Sequence, residues 1–267
     1  MKTSMNEDSI RQRAAELLEA HATRQPFRPF TGSATLPSLH AAYAVQRCYI
    51  TRLAAQLGSS IAGYKVGLTS PRMQAMCGID SPIAGRVLAH RLLGDGVTLR
   101  RADYGRLGIE FEIGVRLAHD LPATLAPHSA ESVAQAVAAV APVVEVVDDR
   151  AAQYAGLDMC SLVADNAWNA GVIVGAWHTS WPDLAAVLGI VERNSIELDR
   201  GYGRDVLGNP LHALRWLANH LAESGEGLRA GDVVATGSIV PTRFPTGPER
   251  YHYSLQGLGE ISFSIVD

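Results

Sequence analysis

Two hydrophobic segments that carry glutamates constrain the fold more than any other part of the sequence. Residues 107–117 read LGIEFEIGVRL, and their polar and apolar side chains alternate with the period of two that indicates a β-strand. Residues 143–147 read VVEVV, a run that is apolar on both faces and typical of a strand buried on both sides. The two segments therefore predict strands of a well-covered sheet, each with a carboxylate on it.

The other segments predict a mixture of helices and short strands. Helical spacing of apolar residues indicates helices over residues 9–22 and 39–57, and we also expect helices over residues 130–140, 181–188 and 211–223. Strands are predicted at residues 61–68, 85–88, 97–99, 170–176, 190–199, 232–235, 251–255 and 261–266. Strands do not alternate regularly with helices, so the pattern favours an α+β fold over a doubly wound parallel sheet.

Composition excludes several classes of protein. With 47% hydrophobic and 19% charged residues among 267, the chain has too many apolar side chains for a disordered protein. A net charge of −4 without a basic stripe argues against nucleic acid as a partner. The sequence contains no apolar run long enough to cross a membrane, no apolar secretory segment at its start and only three scattered cysteines, so we expect a cytoplasmic protein that binds no membrane.

The glutamates point to a metal ion. Glu110 and Glu112 are two residues apart on one strand, so their side chains project from the same face. Glu145 lies among four valines, where an isolated carboxylate is costly unless it is paired, neutralised or bound to a metal. An arginine partner for Glu145 stays open as the alternative, and Arg150 is the nearest in sequence. Three carboxylates suit a hard cation such as Mg²⁺ or Mn²⁺ and leave coordination positions for a chelating 2-oxo acid.

Seven segments in order along the chain resemble the fumarylacetoacetate hydrolase superfamily. They are GYKVGLTS (63–70), GID (78–80), IEFEIGV (109–115), VVEVVDDR (143–150), VADNAWNAG (163–171), GNPLHALRWLANHL (208–221) and GDVVATGS (231–238). Within the superfamily, the sequence is most similar to the branch of 2-oxopent-4-enoate hydratases and 4-oxalocrotonate decarboxylases. The resemblance covers nearly the whole chain from about residue 35.

The resemblance implies a fold and a set of site residues. We expect a mixed β-roll with an N-terminal helical region packed on it, as one catalytic domain over residues 1–267, in which 1–58 form the helical region and 60–267 the roll. The metal ligands would be Glu110, Glu112 and Glu145, and the acid–base or substrate-orienting residues Lys65 and Asp80. The pocket-lining positions would be Thr69, Asp165, Asn166 and Ser238.

The resemblance also implies an activity. We expect a Mg²⁺- or Mn²⁺-dependent hydratase that adds water to a 2-hydroxy-2,4-dienoate in aromatic meta-cleavage catabolism, with a small 2-oxo acid as substrate. The alternatives are a 4-oxalocrotonate decarboxylase, a non-catalytic binding or partner subunit, and an acylpyruvate hydrolase. A homo-oligomer, associated with another enzyme of the same pathway, is the expected assembly.

Two points of chemistry follow from the residues around this pattern. Lys65 has small and apolar neighbours, so desolvation predicts a lowered pKa that suits a proton shuttle. A decarboxylase substrate has a second carboxylate and needs a cation at its far end, for which Arg72 and Arg86 are candidates.

The sequence departs from the family at Phe111, at residues 81–83 and at residues 247–249, which puts the identity of the substrate in doubt.

Overall fold

The computed structural model describes residues 5–267 and consists of helices and strands in two mixed sheets. The α-helices are α1 (Glu7–Ala22), α2 (Leu39–Gln56), α3 (Pro71–Cys77), α4 (Ala130–Gln135), α5 (Met159–Ala164) and α6 (Pro210–Ala222). The strands are β1 (Ile61–Gly67), β2 (Ile83–Leu88), β3 (Leu92–Gly94), β4 (Thr98–Arg100), β5 (Leu107–Leu117), β6 (Val137–Asp148), β7 (Asn169–Val174), β8 (Leu188–Arg193), β9 (Ile196–Tyr202), β10 (Val233–Ser238), β11 (Glu249–Leu255) and β12 (Gly259–Val266).

The larger sheet places distant parts of the chain side by side. Its strand order is β2-β1-β10-β5-β6-β7-β3, in which β1 pairs with β10 and β3 with β7 in parallel, and the other neighbours are antiparallel. The smaller sheet has the order β4-β12-β11-β8-β9. The two long strands β5 and β6 therefore lie near the middle of the larger sheet, where both their edges are paired.

The alternation along β5 assigns one face of the larger sheet to the main core. Ile109, Phe111 and Ile113 are fully buried there, and the ring of Phe111 lies 5.3 Å from that of Tyr253 on the smaller sheet. Aromatic pairs at this separation stabilise a core beyond the area that they bury. Because side chains alternate across a strand, the neighbouring Glu110 and Glu112 point to the opposite face.

That opposite face is covered by the N-terminal helices. A second apolar cluster joins residues of α1, α2 and α5 to Ile83 on β2 and Val147 on β6. The amide of Gln46 on α2 donates to the carbonyls of Ala84 and Val163 at 2.9 and 2.7 Å, which ties the helix to β2 and α5. Much of the glutamate face is consequently shielded from water, although it carries charged groups.

Most elements agree with the sequence-based predictions, and the expected fold class is confirmed. The predicted strand at residues 107–117 is β5, and residues 190–199 lie in the hairpin of β8 and β9. The helix predicted over residues 130–140 is wrong in its second half, because Val137 begins β6 and pairs with Leu117. Tertiary pairing overrides the helix preference of alanine there. The helix predicted at residues 181–188 is reduced to a 3₁₀ turn, Leu184–Ala186.

In the part of the chain that the structure describes, no helix is both long enough and apolar enough to span a membrane.

Candidate metal centre and active site

Three carboxylates converge on the covered face of the larger sheet. Glu110 on β5 is the register partner of Glu145 on β6, and Glu112 lies two residues further along β5. One carboxylate oxygen from each residue lies within 4.8 Å of the others. Glu112 and Glu145 are fully buried and Glu110 is half-buried. We call Glu110, Glu112 and Glu145 the glutamate triad.

Hydrogen bonds hold each member of the triad by one oxygen. Thr242 donates its hydroxyl to Glu110 Oε1 at 2.5 Å, and the amide nitrogen of Gly237 donates to Glu112 Oε2 at 2.7 Å. The side-chain amide of Asn169, at the start of β7, donates to Glu145 Oε1 at 2.9 Å. These contacts come from β10, β7 and the loop after β10, and they orient the carboxylates toward one another instead of apart.

The triad has the properties of a site for a divalent cation. Two of its buried oxygens, Glu112 Oε1 and Glu145 Oε2, have no hydrogen-bond partner among the described residues. A buried oxygen without a partner is costly, and a cation coordinated by it would remove that cost. An all-oxygen donor set suits Mg²⁺ or Mn²⁺. The residues present therefore fit the metal that the sequence pattern predicts.

Burial and mutual repulsion favour the protonated forms of Glu112 and Glu145 when no cation is near. Desolvation and then the charges of Glu145 and Glu110 raise the pKa of Glu112 well above its ordinary value. Desolvation likewise raises the pKa of Glu145 to about 7, although the charge of Lys65 works in the other direction. A divalent cation would displace these protons, because it stabilises the charged carboxylates.

Lys65 lies against the triad from β1. Its Nζ atom lies 3.2 Å from Glu145 Oε1, and the residue is only 4% exposed. The predicted lowering of the Lys65 pKa is wrong. Desolvation by itself lowers the pKa of Lys65, but the negative charges of the triad outweigh this effect and raise the pKa. The ammonium form is therefore favoured. The partner of Glu145 is thus a lysine and not the arginine that the sequence left open.

Two glycines make room for this arrangement. A Cβ atom at Gly85 would come within 2.6 Å of the carbonyl oxygen of Asn166 and 3.2 Å of Lys65 Cε. A Cβ atom at Gly237 would come within 2.3 Å of Thr69 Oγ1, and its φ of +117° is a conformation that other residues rarely adopt. The close approach of backbone to Lys65 and Glu112 therefore depends on residues without side chains.

A strained turn leads into the site from α5. Asn166, Ala167 and Trp168 have φ angles of 55°, 47° and 60°, a region that costs energy for residues other than glycine. The Asn166 amide holds the turn to β2 by donating to the carbonyl of Arg86 at 2.9 Å and by accepting from its amide nitrogen at 2.7 Å. The turn places Trp168 over the cavity and Asn169 against Glu145.

Asp165, just before the turn, is occupied by structural contacts. It is 1% exposed, forms an ion pair with the buried Arg150, and lies 2.7 Å from His21 Nε2 on α1. These contacts join the N-terminal helix to the turn. The side-chain contacts of Asp165 are thus with His21 and Arg150 and not with a member of the triad.

A cavity beside the triad has two contiguous lobes that share Gly67, Leu68, Met73, Glu110 and Thr242. The inner lobe, of about 90 Å³, is lined by Lys65 and mostly apolar side chains such as Trp168. The outer lobe, of about 760 Å³, is lined by Thr69, Ser238 and other polar residues. A volume in this range accommodates a small organic substrate.

The remaining predicted site residues have different positions. Thr69 is 5% exposed, and Ser238 joins β10 to β5 by accepting from the Phe111 amide nitrogen at 3.1 Å. Asp80 is exposed and lines neither lobe. Its assignment as a catalytic residue stays a prediction.

Three residues close to the triad are not predicted as site residues by the sequence. They are Asn169, Thr242 and Trp168, of which the first two bond to the glutamates and the third lines the inner lobe. The family resemblance of segment 163–171 implies pocket positions at Asp165 and Asn166 and does not mark Asn169. Nothing in the local pattern marks Thr242, because only the folded chain brings it beside Glu110.

Comparison with known proteins finds one family model and several relatives that cover most of the chain. Residues 80–266 match the family model of the fumarylacetoacetate (FAA) hydrolase C-terminal region. The chain is 33% identical over 264 residues to a 2-keto-4-pentenoate hydratase of Burkholderia vietnamiensis, covering 98% of this chain and 99% of the relative. It is 31% identical to a 4-oxalocrotonate decarboxylase of Pseudomonas putida, covering 100% of both chains.

A solved structure extends this similarity to the whole fold. The 4-oxalocrotonate decarboxylase of Pseudomonas putida G7, in complex with magnesium and adipate, superposes with a TM-score of 0.91 at 29% identity, covering 98% of this chain and 99% of that one.

Proposed function

This chain belongs to the fumarylacetoacetate hydrolase family, and from that premise we propose that it is a divalent-cation-dependent hydratase of 2-hydroxy-2,4-dienoates. The product would be a 4-hydroxy-2-oxo acid. The observation that carries the proposal is the buried glutamate triad with Lys65 at 3.2 Å from one of its members. The relatives named as hydratases share almost the full length of the chain.

We propose that the glutamate triad holds Mg²⁺ or Mn²⁺. The two buried carboxylate oxygens without a partner among the described residues support this, as does the magnesium in the decarboxylase structure. The bound ion would supply Lewis acidity that offsets negative charge on the carboxylate and the 2-oxygen of the substrate. The chain's own contribution is to hold the ligands, exclude water and move protons.

Lys65 is the proton carrier in this proposal. Ketonisation removes the proton of the substrate's 2-hydroxyl group and adds one at C5, and hydration then adds a hydroxyl group at C4 and a proton at C3. Lys65 Nζ lines the inner lobe in its ammonium form and has Glu145 as a hydrogen-bonded partner, so a proton can pass from it to a substrate carbon and be returned.

The other predicted residues receive supporting roles. Thr69 and Ser238 line the outer lobe and would contact the substrate. Asp165 and Asn166 hold the turn that carries Asn169, so we propose that they position the site without touching the substrate. For Asp80, loss of turnover in Asp80→Asn with unchanged metal affinity would support a catalytic role.

A decarboxylase is the second candidate. The full-length similarity to a 4-oxalocrotonate decarboxylase favours it, and the same site would stabilise the dienolate left when carbon dioxide departs. A non-catalytic subunit of this fold is the third candidate, against which the intact triad and Lys65 argue. An acylpyruvate hydrolase would use a Glu–His pair in the region before the metal strands. The only histidine close to that region in sequence is His90, which is exposed and lines neither lobe.

The cellular setting follows the same proposal. We propose a cytoplasmic homo-oligomer that acts as one catalytic domain and works beside another enzyme of the same pathway. The contact of α1 with Asp165 supports a single domain, because the helical region holds the turn next to the triad.

One assay tests the function directly. The purified protein is incubated with 2-hydroxypenta-2,4-dienoate and Mg²⁺ in ¹⁸O-labelled water, and the product is analysed by mass spectrometry. A hydratase incorporates one label at C4 that remains when the product is returned to unlabelled water, whereas label at the 2-oxo group exchanges out. In parallel, carbon dioxide release from 2-oxo-3-hexenedioate reports decarboxylation. Metal binding without turnover of either compound would leave the non-catalytic role.

A further inference from the structure

The outer lobe carries two positive charges that the proposed chemistry does not use. Arg72, at the start of α3, and Arg204, just after β9, both line it and both are exposed. Neither guanidinium forms an ion pair with any carboxylate of residues 5–267. Arg72 and Arg204 therefore keep their positive charges available on the wall of the cavity that also contacts Glu110.

Arg204 is held in place before any ligand arrives. Its Cζ atom lies 3.9 Å from the centre of the Tyr202 ring, a stacking contact that limits the rotation of the guanidinium. The neighbouring Asp205 also lines the lobe, but it accepts a hydrogen bond from the Tyr202 amide nitrogen at 2.7 Å and forms no ion pair with Arg204. A fixed guanidinium with free N–H groups is suited to bind a carboxylate through paired hydrogen bonds.

The inner lobe offers nothing comparable. Its lining is mostly aliphatic, aromatic and sulfur-containing, and its charged members are Lys65 and Glu110, which belong to the metal centre. With about 90 Å³ it has little room for a polar group together with its hydration, whereas the outer lobe has about 760 Å³. A substrate with a charged tail would therefore extend into the outer lobe.

Arg86, the other cation that the sequence suggested, is unavailable. It is 3% exposed, donates to both oxygens of Glu226 at 2.8 and 2.7 Å and donates to Gln46 at 2.6 Å. It lines cavities that do not include the triad. Of the two candidate cations, Arg72 lines the outer lobe and Arg86 does not, and Arg204 lines the lobe together with Arg72.

We propose that Arg204, with Arg72 as a second contact, binds a carboxylate at the far end of the substrate and makes dienedioates the preferred substrates over monocarboxylic dienoates. This inference rests on the proposed function for the near end of the substrate. It adds a specificity-determining pair that acts on binding and not on the reacting carbons.

The test compares two substrates and several variants. The kcat/KM is measured for 2-hydroxypenta-2,4-dienoate and 2-hydroxyhepta-2,4-dienedioate with the Mg²⁺-loaded wild type, Arg204→Gln, Arg204→Lys, Arg72→Gln and the control Arg250→Gln, which replaces an exposed arginine on β11. We expect the wild type to prefer the dioate. Arg204→Gln should lose about 10- to 100-fold for the dioate through KM and change less than about 2-fold for the monoacid. Arg204→Lys should retain part of the preference.

A binding measurement separates this inference from the proposed function. The affinity of Mg²⁺-loaded protein for adipate and for pentanoate is measured by calorimetry with the same variants. Selective loss of adipate binding in Arg204→Gln without turnover of either dienoate would reject the hydratase and retain the dicarboxylate subsite. Equal effects on both ligands, or no effect, would overturn the subsite even if the wild type is an active hydratase.

Discussion

Glu110 and Glu145 face each other directly across the antiparallel pair β5–β6, although they are 35 residues apart in the chain. Two carboxylates opposite each other destabilise a strand pair unless a positive charge lies between them. The Lys65 ammonium supplies part of that charge at 3.2 Å from Glu145. A divalent cation would satisfy the two buried triad oxygens that have no partner among the described residues, Glu112 Oε1 and Glu145 Oε2.

Replacing Lys65 separates proton transfer from metal binding. Lys65→Met should lower kcat by about 100- to 10,000-fold, since the proton carrier is lost. Affinity for Mn²⁺ should stay the same or increase, because the ammonium that competes for Glu145 is gone. Steady-state kinetics and calorimetric titration measure the two effects, and a variant with wild-type kcat would remove Lys65 from the mechanism.

Asn169 should control metal affinity through its bond to Glu145. Asn169→Ala should weaken Mn²⁺ binding by about 10- to 100-fold, as expected when a group that orients a metal ligand is removed. Asn219→Ala is the matched control, because its side chain also bonds in a partly buried place, to His128, and lies outside both lobes. If both variants bind Mn²⁺ alike, Asn169 does not position the ligand.

The metal-free protein should become less stable as the pH rises through neutrality. The pKa of Glu145 is raised from 4.5 to about 7 and that of Glu112 is raised as well, so the folded state holds protons that the unfolded state releases. The contribution of these protonated carboxyl groups to the free energy of unfolding is fully present below about pH 4.5 and is lost as the pH rises through about 7.

Thermal melts of chelator-treated protein check this dependence. Glu112→Gln should flatten the decline between about pH 5 and pH 8, because it removes one of the repelling carboxylates. Added Mg²⁺ should raise the melting temperature of the wild type more at pH 8 than at pH 5, since protons compete for the ligands at low pH. Parallel profiles for the wild type and the variant would contradict the assignment of the raised pKa values.

Asp165 should matter for stability more than any predicted site residue outside the triad. Asp165→Asn leaves the buried Arg150 without its counter-charge, which typically costs about 3–5 kcal/mol. Asp183→Asn, at an exposed turn, is the control and should cost less than about 1 kcal/mol. Urea unfolding with and without Mg²⁺ measures both, and equal costs would show that the Arg150 pair is unimportant.

Local sequence patterns are enough to predict most of the secondary structure and the three candidate metal ligands. The period of two along residues 107–117 placed Glu110 and Glu112 on one face, and the valines around Glu145 indicated burial, because both signals depend only on neighbours in the chain. The same local signals misread residues 137–140 as helix, since their strand conformation comes from pairing with β5.

The interactions among these groups depend on how the folded chain brings them together. The order of β1, β10, β5, β6 and β7 in one sheet brings Lys65 and Asn169 to Glu145, and it reverses the pKa shift expected for Lys65. It also encloses Arg86 in an ion pair and leaves Arg204 facing the outer lobe. Electrostatic interactions depend on distance in space, and long-range strand pairing sets those distances, so no local pattern in the chain contains them.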